Sequence, residues 1–149
     1  MPRWLLAPLI VGLWLAATPA AADQASIGGI KTASGDAAIL RDGKRLPATA
    51  GGAVFRNDVL VTGVDGTVGV TFRDETRMSI GPDTEIALDR YVFSPEDEDY
   101  SLVTRITRGT LFYVSGLIAK LSPESAKVVT PGGTIGARGT SFVVQVRAS

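Results

Sequence analysis

The chain has 149 residues, a formal net charge of zero, and neither cysteine nor histidine. That balance gives no electrostatic case for nucleic acid or for an anionic membrane surface. The missing residue types exclude Ser-His-Asp and Cys-His catalysis, an ordinary structural zinc site and disulfide staples, and leave carboxylate, lysine, serine or metal–oxygen chemistry open.

Arg3 supplies a positive n-region, Leu5 to Leu15 an apolar core, and Ala20-Ala21-Ala22 a small-residue cleavage site. Residues 1–22 therefore predict a signal peptide cut after Ala22. The apolar run is shorter than the about 20 residues of a membrane span, so no stable span is expected once it is removed. The alternative is an uncleaved anchor. Residues 23–36 are small and polar and read as a flexible lead-in, or as a first weak strand over Ile27 to Lys31.

Ordered patterning occupies residues 37–147. Ala37 to Arg41 is short and apolar, and Asp42-Gly43 after it is a hairpin-turn dipeptide. Leu46 to Phe55, with Pro47, Gly51 and Gly52, reads as a loop or irregular edge. Val59 to Thr62 is a strand, followed by a second turn at Asp65-Gly66. Val68, Val70 and Phe72 then alternate with Thr67, Gly69 and Thr71, the period of a half-buried strand. After a turn at Arg73 to Thr76, Met78 and Ile80 repeat that alternation. Gly81-Pro82-Asp83 turns again, and Ile86 and Leu88 carry the pattern on toward Phe93.

Pro95 and the run Glu96 to Asp99 interrupt it. Strands resume over Ser101 to Thr107 and, across Arg108-Gly109, over Thr110 to Val114. Gly116 to Leu121 predicts a short helix with Leu117, Ile118 and Leu121 inward, stopped by Ser122-Pro123. Lys127 to Thr130 and Ser141 to Arg147 close the chain. Turn signals this frequent predict an all-β fold, with many short strands in a compact sandwich- or solenoid-like single domain. No motif returns at fixed spacing, so a repeat solenoid is not established.

Val128 to Val146 combines strand-like ends with Gly132, Gly133, Gly136, Gly139 and the lone cation Arg138. A phosphate loop would open a helix. Here Ser141 to Val146 is strand-like and no Lys-Ser/Thr follows the glycines. The segment reads as a structural joint, with Gly136 and Gly139 allowing close backbone approach and Thr134 and Thr140 beside them. Arg138 is expected to be partly buried and paired with Asp58 or Asp74, since an unpaired buried charge is very costly; ligand binding is its other reading. Gly139→Val and Arg138→Ala are accordingly expected to destabilise the fold.

Glu96 to Asp99 lacks the spacing of a calcium loop and reads as a solvated loop, or else as a docking surface for a basic partner. Asp74, Glu75, Asp83 and Glu85 read as surface turn acids; paired, they would suit glycoside hydrolysis. Tyr91, Phe93, Tyr100, Phe112 and Tyr113 form an aromatic group. Phe112 and Tyr113 are adjacent on one strand and point to opposite faces, one into the core and one outward. The outward ring would cover a neighbouring loop, or bind a sugar or a partner protein.

Together Phe55-x-Asn57-Asp58-Val59-Leu60-x-Thr62-Gly63, Asp65-Gly66-Thr67, Val68-x-Val70-x-Phe72-Arg73-Asp74 and Met78-Ser79-Ile80-Gly81-Pro82-Asp83-Thr84 resemble the FecR domain. Arg108-Gly109-Thr110-Leu111-Phe112-Tyr113-Val114-Ser115-Gly116, and Thr130-Pro131 through Ile135-Gly136-x-Arg138-Gly139-Thr140-x-Phe142, are similar to that family's second half. The resemblance covers about residues 37–146 and implies an extracytoplasmic, all-β, non-enzymatic signalling domain. Members that regulate sigma factors do so through a cytoplasmic tail. Three residues precede the apolar segment here, so that output is not expected.

The reading that follows is a periplasmic binding or sensing module without cofactor or metal. Its expected partner is an envelope protein, with a glycan or small molecule as other ligands. The alternatives are a carboxylate-based glycan-acting enzyme and a self-associating structural envelope protein.

Overall fold

The computed structural model describes residues 25–137 and 141–147. The all-β expectation holds: among the described residues the strands form one curled sheet, accompanied by one five-residue α-helix. Residues 1–22, together with Arg138, Gly139 and Thr140 and the expectations attached to them, lie outside the described residues.

The architecture follows from a simple device. Four successive stretches of chain each pass through one half of the sheet, bend, and pass through the other. The first is β1 (Gly28–Ser34) with β2 (Ala37–Arg41), from which β3 (Lys44–Pro47) turns back and β4 (Ala53–Val54) returns to β1. The second is β5 (Val59–Thr62) with β6 (Thr67–Phe72). The third is β7 (Arg77–Ile80) with β8 (Glu85–Ser94). The fourth is one unbroken strand, β9 (Asp99–Val114), where the sequence had suggested two. One half of the sheet therefore reads β4-β1-β6-β7-β9 and the other β3-β2-β5-β8-β9. Helix α1 (Leu117–Leu121) follows β9. Then β10 (Ala126–Thr130) joins the first part of β9 in parallel, β11 (Gly133–Gly136) pairs β10, and β12 (Ser141–Val146) lies antiparallel on the last part of β9.

The bends stack into a seam. Gly63 N–H donates to Asp36 O at 2.8 Å, and Asp83 N–H to Gly63 O at 2.9 Å. Thr62 Oγ1 donates to Gly81 O at 2.7 Å and accepts from Thr84 N–H at 3.0 Å; Thr84 Oγ1 accepts from Thr110 N–H at 3.0 Å. Asp42-Gly43, with φ of 52° and 75°, closes a true two-residue hairpin. Asp65-Gly66 and Gly81-Pro82-Asp83 do not: the strands on either side of each pair with different neighbours. These turn signals mark corners at which the chain changes halves.

The corner in β9 depends on one residue. Leu102, Thr104 and Ile106 are buried before it, and Leu111 and Tyr113 after it. Alternation alone would have turned the second set outward. The register slips by one residue opposite Glu85 and Ile86, so the inward face is kept around the bend. Gly109 sits there at φ +101°, and a Cβ on it would run into Thr84. One core fills the curl, drawing Val68, Val70, Phe72 and Met78 from one half and Leu60, Ile86, Leu88 and Leu102 from the other. Phe72 and Tyr91 stack across it, ring centroids 5.6 Å apart.

Two local expectations are corrected and one is decided between its alternatives. Within residues 23–36 the strand reading holds, as β1 from Gly28 to Ser34, paired along its length with β6. Its glycines signalled looseness but serve contact, since a Cβ at Gly28 would lie 2.6 Å from Thr71 O. In α1, Ile118 and Ala119 turn inward, whereas Leu121 stands 55% exposed at the end of the helix. In the closing segment, Gly133 to Gly136 is strand β11, with no atom within 4 Å of a Cβ added at Gly133 or Gly136. Close backbone approach is not what Gly136 serves.

Candidate functional site

Two buried carboxylates stand out, and both are spent on the fold. Asp58, 1% exposed, accepts from Arg41 Nε at 2.9 Å, Arg41 Nη2 at 2.8 Å and Phe55 N–H at 2.9 Å. The same guanidinium donates to Ala53 O at 3.2 Å and lies 4.5 Å from the Phe55 ring centroid. The Asp58 carboxylate holds the Arg41 pKa above its ordinary value. The pair ties β2 to the segment before β5. Asp58 therefore pairs with Arg41, while Arg138, expected beside Asp58 or Asp74, lies outside the described residues.

Asp74 is fully buried beneath the β6–β7 turn. Its carboxylate accepts from Thr76 Oγ1 at 2.6 Å, Thr76 N–H at 3.3 Å, Tyr91 Oη at 3.1 Å and Ile118 N–H at 3.1 Å, and its carbonyl accepts from Leu117 N–H at 2.8 Å. Short α1 is thus held at its first turn by donors that would otherwise be orphaned. Gly116 allows the approach, because a Cβ there would collide with Thr76 N and Asp74 O. Reading Asp74 as a surface turn acid is therefore corrected: the turn is at the surface, but its carboxylate points into the core.

Tyr113 is the core-facing member of the aromatic pair, fully buried and stacked on Phe142 at 4.7 Å, while Phe112 is 52% exposed. The Tyr113 hydroxyl lies close to Thr76 and in the field of Asp74, yet among the described residues it has no hydrogen-bond partner. Burial, with Asp74 adding to it, pushes the pKa of both Tyr91 and Tyr113 up.

The remaining turn acids are dispersed. Glu75 lines one depression of about 430 Å³ with Arg77 and Lys120. Asp83 lines another of the same volume with Arg108 and Arg147. Glu85 accepts from Thr107 Oγ1 at 2.8 Å. Neither depression brings two carboxylates together. Glu96 to Glu98 lie exposed on the β8–β9 turn, where Asp97 is bonded to Ser94 at 2.9 Å. Among the described residues no group of three acids is placed to hold a metal ion, and no helix is long and apolar enough to cross a membrane.

The sheet edges differ in kind. β3 carries Lys44, Arg45 and Pro47, and β4 is two residues long; both are devices that discourage pairing. β12 reads Ser-Phe-Val-Val-Gln-Val, without charge or proline, and its far edge is unpaired among the described residues. Val144 packs inward and Val143 is 56% exposed beside Phe112, its partner in register. The far edge of β11, with Ile135 38% exposed, is likewise unpaired among them. Sequence alternation set Phe112 and Tyr113 on opposite faces without saying which faced outward, and the β12 edge was hidden in the pairing of distant strands.

A family model described as FecR protein matches residues 58–149. Among solved structures, a chain described as a cell surface anchoring domain is 27% identical, the match covering 41% of this chain and 82% of that one, with a TM-score of 0.40; a likeness that slight in shape carries no argument. No curated protein matches the sequence.

Proposed function

This chain belongs to the FecR family, and from that premise we propose that it is a periplasmic, non-enzymatic sensing module that binds an envelope protein by strand addition on the free edge of β12. The family is of an extracytoplasmic and non-catalytic kind, and the leader-like residues 1–22 accord with export. The carrying observation is the uncharged β12 edge, unpaired among the described residues, with Val143 and Phe112 exposed beside it. An incoming strand would draw affinity from backbone hydrogen bonds and selectivity from that apolar pair. The buried polar groups support the same reading, since Asp58 and Asp74 are saturated by internal donors.

The test uses the mature protein, residues 23–149, as bait for envelope extracts, beside a Val143→Lys variant and an Arg45→Ala control on the guarded edge. Capture should persist with Arg45→Ala and fail with Val143→Lys, and the captured partner should slow hydrogen exchange along β12. Capture that ignores Val143→Lys, or that leaves β12 exchange unchanged, would overturn the reading.

A further inference from the structure

The two halves of the sheet present unlike outer surfaces. Outward positions of β8 and of β9 before Gly109 carry Glu85, Asp89, Arg105 and Arg108, paired across the strands as Arg105–Asp89 and Arg108–Glu85. Exposed positions of β1, β6, β7, β12 and the end of β9 carry two charges, Lys31 and Arg77. Over this second surface runs a shallow trough of about 220 Å³, lined in part by Thr32, Thr67, Gly69, Ser79 and Phe112. Thr32, Gly69, Ser79 and Phe112 form one row in register across four strands. Gly69 has no side chain, and the Thr32 hydroxyl leans over it into the space that a Cβ would take. The Thr67 hydroxyl is shared with Ser34 at 2.6 Å, whereas those of Thr32 and Ser79 are engaged by no described residue.

A trough without charged lining offers nothing to phosphate, carboxylate or ammonium groups, which need a countercharge when desolvated. It offers two free hydroxyls on one side and an exposed ring on the other. That combination suits a ligand with hydroxyls at its rim and an apolar C–H face. We propose that the trough is a subsite for a neutral sugar residue of a glycan, its C–H face against Phe112 and its hydroxyls bonded to Thr32 and Ser79. The site shares Phe112 with the β12 edge but uses no β12 backbone, and Ser79→Ala, one strand further from that edge, tells the two readings apart.

Amide NMR titration of the mature protein with a neutral β-1,4-linked glucose oligosaccharide and an N-acetylglucosamine oligosaccharide tests it. At least one should give saturable shifts centred on Gly69, Ser79 and Phe112. Phe112→Ala should weaken binding about fivefold, Ser79→Ala should also weaken it, and Arg45→Ala, on the distant β3 edge, should leave it unchanged. Folding of each variant is checked by its amide spectrum. Absence of saturable shifts with both sugars overturns the proposal. So do shifts that survive in the Phe112→Ala, Ser79→Ala double variant, or a trough that answers only to an apolar peptide.

Discussion

Thr84 and Gly109 meet face to face at the corner where β9 passes from one half of the sheet to the other: Thr84 Oγ1 accepts the Thr110 N–H at 3.0 Å, and no room remains for a side chain on Gly109. Gly109 also holds φ +101°, a region that side-chain-bearing residues rarely adopt. Gly109→Ala should therefore lower the unfolding free energy by about 3 kcal/mol. Gly43→Ala is the control. Gly43 sits at φ +75° with open space around it, so only backbone strain applies and the loss should be about 1 kcal/mol. Urea unfolding of both variants checks the ranking; equal losses would show that the corner contact contributes nothing.

Two ion pairs of similar length should differ widely in value. Arg41–Asp58 at 2.8 Å has its acid 1% exposed, whereas Arg45–Asp36 at 3.0 Å is more than half exposed at both ends. Asp58→Ala strands the Phe55 amide and the Arg41 guanidinium, and should cost about 3 kcal/mol. Asp36→Ala removes a solvated pair and should change stability through that pair by no more than about 0.5 kcal/mol. The urea midpoints of the two variants decide it.

Where side-chain period was enough, the fold was legible in the sequence. Val68, Val70, Phe72, Met78, Ile80, Ile86 and Leu88 were assigned inward from alternation, and all are buried. What local chemistry cannot convey is which strands become neighbours. Asp42-Gly43 and Asp65-Gly66 are the same dipeptide, yet one closes a hairpin and the other turns a corner, because the difference lies in pairing partners distant in sequence. For the same reason Asp58 could not be matched to Arg41, which reaches it only through the fold. Asp58, Thr62, Asp74, Thr84 and Gly109, all within the motifs that resemble the FecR domain, act here as staples and corners. They made the family recognisable while carrying no information about a ligand. The β12 edge was not foreseeable for the same pairing reason.

Asp74 connects three elements, so removing it should be felt away from the turn. Asp74→Ala leaves the Tyr91 hydroxyl, the Thr76 hydroxyl and the Ile118 amide without their acceptor. A loss of about 3–4 kcal/mol is expected, together with faster hydrogen exchange over residues 116–121. If exchange in α1 stayed at the wild-type rate, the carboxylate would not be what anchors the helix.

The two buried tyrosines separate the value of a satisfied hydroxyl from that of an orphaned one. Tyr91 Oη accepts the Asp74 N–H at 2.9 Å and donates to Asp74 Oδ1 at 3.1 Å; Tyr113 Oη has no hydrogen-bond partner among the described residues. Tyr91→Phe should therefore cost about 1–2 kcal/mol, and Tyr113→Phe should be neutral or stabilising by up to about 1 kcal/mol. Both hydroxyls have pKa values raised in the folded protein, chiefly by burial. Below about pH 10, the ordinary tyrosine value, each is protonated folded or unfolded and contributes no pH dependence. Above it the unfolded chain releases protons that the folded chain still holds, so the unfolding free energy falls as pH rises. Urea midpoints measured from neutral pH to above pH 10 should drop for the wild type and drop less for each phenylalanine variant. A wild-type midpoint that does not move over that window would mean the folded tyrosines titrate as they do in water.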